Sequence, residues 1–114
     1  MVVAGVMSGT SADGVDVAIC RVSPGPKVKV LGHRAFAYDA KLRAAVLGAM
    51  DAKTISAAEL ARLSWRLGAV YAECVETTAR ELKVRPRSMR VPMCGVLGRL
   101  AKLRCLRSRC VCRW

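Results

Sequence analysis

Aromatic residues are scarce: Phe, Trp and Tyr make up 4% of the 114 residues. A core must then be assembled from Val, Ala, Leu and Met, which bury less area per side chain than aromatic rings do. There is one histidine, His33, and it falls in an alternating stretch that makes it a strand-face residue rather than a catalytic base. No apolar run approaches the roughly 20 residues that span a bilayer. The N-terminus has no basic segment, and its apolar run stops at Met7, too short for a secretory signal. These absences point to a cytoplasmic chain with reduced thiols. Acidic residues are missing altogether from positions 83 to 114.

What is present argues for one small folded domain, since 54% of the residues are hydrophobic and the mean hydropathy is +0.27. The formal charge of +12 is unevenly distributed. Residues 1 to 82 hold all 8 acids against 10 Lys or Arg, a balance of only +2, whereas residues 83 to 114 hold the other 10 basic residues. Cysteine divides the same way: Cys20 and Cys74 are scattered, while Cys94, Cys105, Cys110 and Cys112 crowd the C-terminus.

In chain order, Val2 to Met7 and Val15 to Val22 read as strands. The loop between them favours an antiparallel hairpin, with Asp13-Gly14 as its turn chemistry. Ser23 to Pro26 forms a second turn. Lys27 to Tyr38 alternates, with Val28, Val30 and Phe36 expected on one side and Lys27, Lys29 and His33 on the other. Asp39 is positioned to cap a helix over Lys41 to Met50, with Leu42, Val46 and Met50 as its apolar stripe. Ser56 and Glu59 form a capping box for a long helix from about Ala57 to Leu82, carried by Leu60, Leu63, Leu67, Val70, Cys74 and Thr78. The pattern predicts an α/β fragment of α+β order, a three-stranded meander followed by two helices.

Chemistry concentrates in the loop after the first strand, Ser8-Gly9-Thr10-Ser11-Ala12-Asp13-Gly14. A phosphate site needs inward backbone N–H groups, little bulk and hydroxyl donors, which Gly9, Thr10, Ser11 and Gly14 offer. Carboxylates repel phosphate, but Asp13 and Asp16 are suited to hold Mg²⁺ that bridges to it. The same residues also make an ordinary hairpin turn whose side chains satisfy local donors. The spacing matches neither the P-loop nor the dinucleotide glycine pattern, so the residues by themselves leave both readings open.

The run from Gly5 to Val17, GVMSGTSADGVDV, resembles the N-terminal signature of the anhydro-N-acetylmuramic acid kinases, G-(I/V/L)-M-S-G-T-S-x-D-G-(I/V)-D, at every fixed position. The resemblance spans about residues 1 to 85 and only the opening portion of a family member. It implies the actin-like ATPase fold of sugar kinases, hexokinase and actin (ribonuclease H-like), in which an early hairpin wraps the nucleotide phosphates. Gly9, Thr10, Ser11, Ala12, Asp13, Gly14, Val15 and Asp16 fall on the family's ATP-binding motif. The implied reaction takes ATP, with Mg²⁺, and 1,6-anhydro-N-acetylmuramic acid. Water opens the anhydro ring, and N-acetylmuramic acid 6-phosphate and ADP are released in cell-wall recycling. The family's general base, an aspartate, would lie downstream of this chain, so no catalytic residue is assigned here, and an incomplete, inactive N-terminal fragment is expected.

Residues 86 to 114 depart from the family. Val91 to Arg99 lacks the histidine of the Gly-His-Gly-Gln-Thr type loop expected after the long helix. Three readings apply to this tail. Its four cysteines would hold zinc, although they lack paired C-x-x-C spacing. Arg99, Lys102, Arg104, Arg107 and Arg109 around a leucine repeat would make a non-enzymatic basic module that binds nucleic acid or anionic membrane. The favoured reading is a shifted reading frame in GC-rich coding DNA. It predicts a Gly-His-Gly-Gln-like continuation in a neighbouring frame from about codon 85, and absence from both frames removes it. Nucleic acid is therefore not the expected partner, and the oligomeric state is left open.

Overall fold

The computed structural model describes residues 1–25, 27–86 and 88–90. Strands β1 (Val2–Met7), β2 (Gly14–Val22) and β3 (Val28–Ala37) are followed by helices α1 (Ala40–Asp51) and α2 (Ala57–Glu81), and by a short strand β4 (Ser88–Arg90). β2 pairs antiparallel with both β1 and β3, the meander the sequence predicts. β4 adds to the other edge of β1 in parallel, giving the order β3-β2-β1-β4. A parallel neighbour cannot be reached by a hairpin, and the two helices provide the crossover. β4 lies beyond Pro86, where the helical pattern ends. Three residues are too few to show a period, and their place in the sheet comes from backbone pairing with Val3, Ala4 and Gly5.

Alternation assigns Ala4 and Val6 of β1, and Val15, Val17 and Ile19 of β2, to one face, where all five are buried. α2 covers that face with Leu63, Leu67, Tyr71, Cys74, Val75 and Ala79, a stripe at helical spacing, and Leu42 and Val46 of α1 complete the core. Fully burying one such aliphatic side chain contributes about 1.5–3 kcal/mol. The predicted caps are present. Asp39 accepts from the Leu42 N–H at 2.8 Å, and Ser56 and Glu59 close a reciprocal capping box.

Three expectations change. Met50 is not part of the α1 stripe and is 45% exposed; beyond the buried Leu42 and Val46, the residues of α1 packed against the core are Leu47 and Ala49. Val28 and Val30 do not share a side with Phe36. Cys20 pairs with Val30 and Ile19 with Gly32, so Leu31 is an extra residue in β3. That bulge reverses the alternation. Val28 and Val30 consequently stand with His33 on the sheet face away from the helices, each 61% exposed, while Phe36 packs on the core. The hairpin turn is also not at Asp13-Gly14, as described below. The zinc, basic-module and reading-frame expectations concern residues 86 to 114, of which 86 and 88–90, the latter forming β4, are described; residue 87 and residues 91 to 114, with the four tail cysteines and the leucine repeat, lie outside the described residues.

Candidate functional site

The loop from Ser8 to Asp13 joins the ends of β1 and β2. It closes through the Ala12 N–H donating to the Gly9 carbonyl at 3.2 Å, so the tight turn is Gly9–Ala12. Its left-handed residue is Ala12, at φ 49°, rather than a glycine. The Ala12 methyl is 1% exposed, and this burial offsets the strain of that conformation. Gly14 is a strand residue. A Cβ there would lie 2.2 Å from the Phe36 carbonyl oxygen, so close packing of β2 on β3 is what requires glycine.

The structure divides the eight predicted residues. Gly9, Thr10, Ser11 and Asp13 are exposed at the tip, and among the described residues the Thr10 and Ser11 N–H groups have no protein acceptor. Ser11 Oγ donates to Asp13 Oδ1 at 2.9 Å. Ala12 and Val15 are buried, which leaves them only their backbone to offer a ligand. Asp16 stands on the face away from the helices, with Oδ1 3.3 Å from His33 Nε2. The two residues are diagonal neighbours, since Asp16 pairs with Ala35 and His33 with Ala18.

The donor set fits a phosphate with a hydrated cation. Thr10 and Ser11 supply amides and hydroxyls, and Asp13 and Asp16 each keep a carboxylate oxygen outside the contacts just described. No group of three or more His, Cys, Asp or Glu side chains gathers among the described residues. A metal here would therefore take most of its oxygens from phosphate and water, which suits Mg²⁺ and not a site built wholly from protein ligands.

Residues outside the predicted set hold this loop in place. Tyr38 donates its backbone N–H to the Asp13 carbonyl at 2.9 Å and its hydroxyl to Ser8 Oγ at 2.8 Å. The Tyr71 hydroxyl lies 3.3 Å from that of Tyr38. Burial pushes the Tyr38 phenol well above its usual range, so it stays protonated and able to donate at any physiological pH. Tyr71 carries a signal in the sequence, since it follows Leu67 by one helical turn. Tyr38 carries none, because its role depends on the chain returning beside Ser8.

A sequence profile described as anhydro-N-acetylmuramic acid kinase matches residues 1–98. The chain belongs to the anhydro-N-acetylmuramic acid kinase family. The match runs past residue 85, to which the signature-based resemblance extends. Relatives bearing that name include one from Sulfurimonas denitrificans, 35% identical over 77 residues that make up 68% of this chain and 20% of the relative. One from Francisella tularensis subsp. novicida is 35% identical over 75 residues, 63% of this chain and 20% of the relative. One from Picosynechococcus is 34% identical over 88 residues, 75% and 22% respectively. The chain spans about a fifth of the length of these curated relatives. Three antiparallel strands followed by two helices are the opening of a sugar-kinase domain of the actin-like ATPase fold, as expected of an anhydro-N-acetylmuramic acid kinase. No described helix is long and apolar enough to cross a membrane.

Proposed function

We propose that this chain supplies the ATP-phosphate hairpin of an anhydro-N-acetylmuramic acid kinase, working in the cytoplasm. The observation that carries the reading is the exposed tip formed by Gly9, Thr10, Ser11 and Asp13, where Thr10 and Ser11 offer amides and hydroxyls within the profile-matched region. Thr10 and Ser11 donate to phosphate oxygens, and Gly9 keeps the approach free of a side chain. Asp13 and Asp16 hold Mg²⁺ through water. A Mg²⁺ held there would supply positive charge to offset that of the phosphates.

In the overall reaction water adds to the anhydro bond of 1,6-anhydro-N-acetylmuramic acid, and the freed 6-hydroxyl takes the γ-phosphoryl group of ATP. ADP and N-acetylmuramic acid 6-phosphate are the products. This chain's part is to orient the phosphates, and none of its described residues is assigned as the base that activates water. Calorimetric titration of the purified chain tests the reading. Mg-ATP should bind, Thr10→Ala and Ser11→Ala should each weaken binding about tenfold for loss of a hydrogen bond to a charged group, and Asp13→Asn should weaken the Mg²⁺ dependence. A wild-type chain that binds no nucleotide sinks the reading.

A further inference from the structure

Tyr38 and Tyr71 are 8% and 7% exposed, and phenylalanine would fill the same space without burying a hydroxyl. Both hydroxyls are nevertheless present and joined, and they lead to the loop. Tyr38 reaches the near end through its hydroxyl, to Ser8 Oγ, and the far end through its backbone N–H, to the Asp13 carbonyl. One residue from the β3–α1 junction thus spans both ends of the Ser8–Asp13 segment.

A phenol carries a single hydrogen. That of Tyr38 is committed to Ser8, so in the 3.3 Å contact Tyr71 is the donor. The hydrogen bonds run from Tyr71 to Tyr38 to Ser8. Because Ser8 Oγ accepts from the core side, its own hydrogen is left to donate on the other side, where the partly exposed serine opens the loop. Fully paired buried hydroxyls fix such a direction, since reversing it would strand one of them.

We propose that Tyr38 is a positioning residue of the hairpin, oriented by Tyr71, and that it makes Ser8 a further phosphate donor beyond Gly9–Asp16. Only the identity of the ligand rests on the function proposed above; the clamp on the loop does not.

Two measurements on the full chain separate these parts. Amide hydrogen exchange is read without ligand in wild type, Tyr38→Phe and Tyr71→Phe. In Tyr38→Phe the Ala12 and Tyr38 amides should exchange several-fold faster while Val17 and Ile19 keep their rates, and Tyr71→Phe should show the same pattern more weakly. Unchanged loop exchange, or uniform acceleration throughout the sheet, overturns the clamp.

Titration with Mg-ATP then reads the second part. Ser8→Ala should raise Kd about tenfold and Tyr38→Phe about threefold, while the double variant should match Ser8→Ala alone. Losses that multiply in the double variant, or a Ser8→Ala chain that binds as wild type, overturn the donor role. If the wild type binds no Mg-ATP, the proposed function and the donor role fall together, and the clamp is still decided by exchange.

Discussion

Gly14 and Gly48 are alike in sequence and opposite in consequence. A methyl at Gly14 would meet the Phe36 carbonyl at 2.2 Å, and backbone on both sides cannot yield, whereas a methyl at Gly48 meets nothing within 4 Å. Gly14→Ala should therefore destabilise the chain by about 1–3 kcal/mol, the range for forced overpacking. Gly48→Ala, on an open helix surface, should stabilise it by about 1 kcal/mol. Thermal unfolding of the two variants checks the contrast, and equal shifts would show that the β2–β3 approach is looser than described. Gly14 was legible as a special residue because it follows Asp13. The reason it is special was not legible, since Phe36 is far away in the chain and only strand pairing brings its carbonyl there.

Helix starts are the elements the sequence states most plainly, because a cap is made from residues only three apart. Asp39 and Glu59 illustrate this, and both caps hold a carboxylate below its usual range. For Asp39 the main cause is the Leu42 N–H, with partial desolvation opposing and Arg66 assisting; for Glu59 it is the Ser56 side chain. A carboxyl whose folded pKa is depressed contributes stability that is complete above its unfolded pKa, near the ordinary value of 3.8 for Asp, and lost as pH falls through the folded pKa. Helical circular dichroism should therefore decline in acid below about pH 4, and Asp39→Ala should flatten that limb while lowering helicity at neutral pH. An unchanged acid limb in this variant would remove Asp39 from the account. β3 is the counterexample among the elements: the extra Leu31 reversed its alternation, and bulges leave no period in the residues themselves.

Across the whole molecule the sheet is covered on one face only, among the described residues. Val28 and Val30 project from the other face beside half-buried Cys20 and Val3, and β3 is an edge strand, so apolar surface and unpaired backbone coincide. The isolated chain should self-associate through this face. Sedimentation at increasing concentration should show it, and Val30→Lys should reduce association with little change in melting temperature, because the side chain it replaces is 61% exposed. A monodisperse wild-type monomer would contradict this use of the face.

The sequence by itself determined the elements and the family, and it marked the loop proposed above as the phosphate site. Hydrophobic period, caps and small residues act over a few positions, so the order of three strands and two helices and the Gly9–Asp16 loop could be read directly, and the signature gave the family. Tertiary structure decided what depends on distant partners: the pairing of β4 with β1, the reversal within β3, the turn at Gly9–Ala12 in place of Asp13-Gly14, and the anchoring of the loop by Tyr38 and Tyr71. Apart from the turn, whose Ala12-to-Gly9 hydrogen bond is local, those features rest on hydrogen bonds and pairings between residues distant in the chain. Local pattern carries no information about such pairs until the backbone has brought them together.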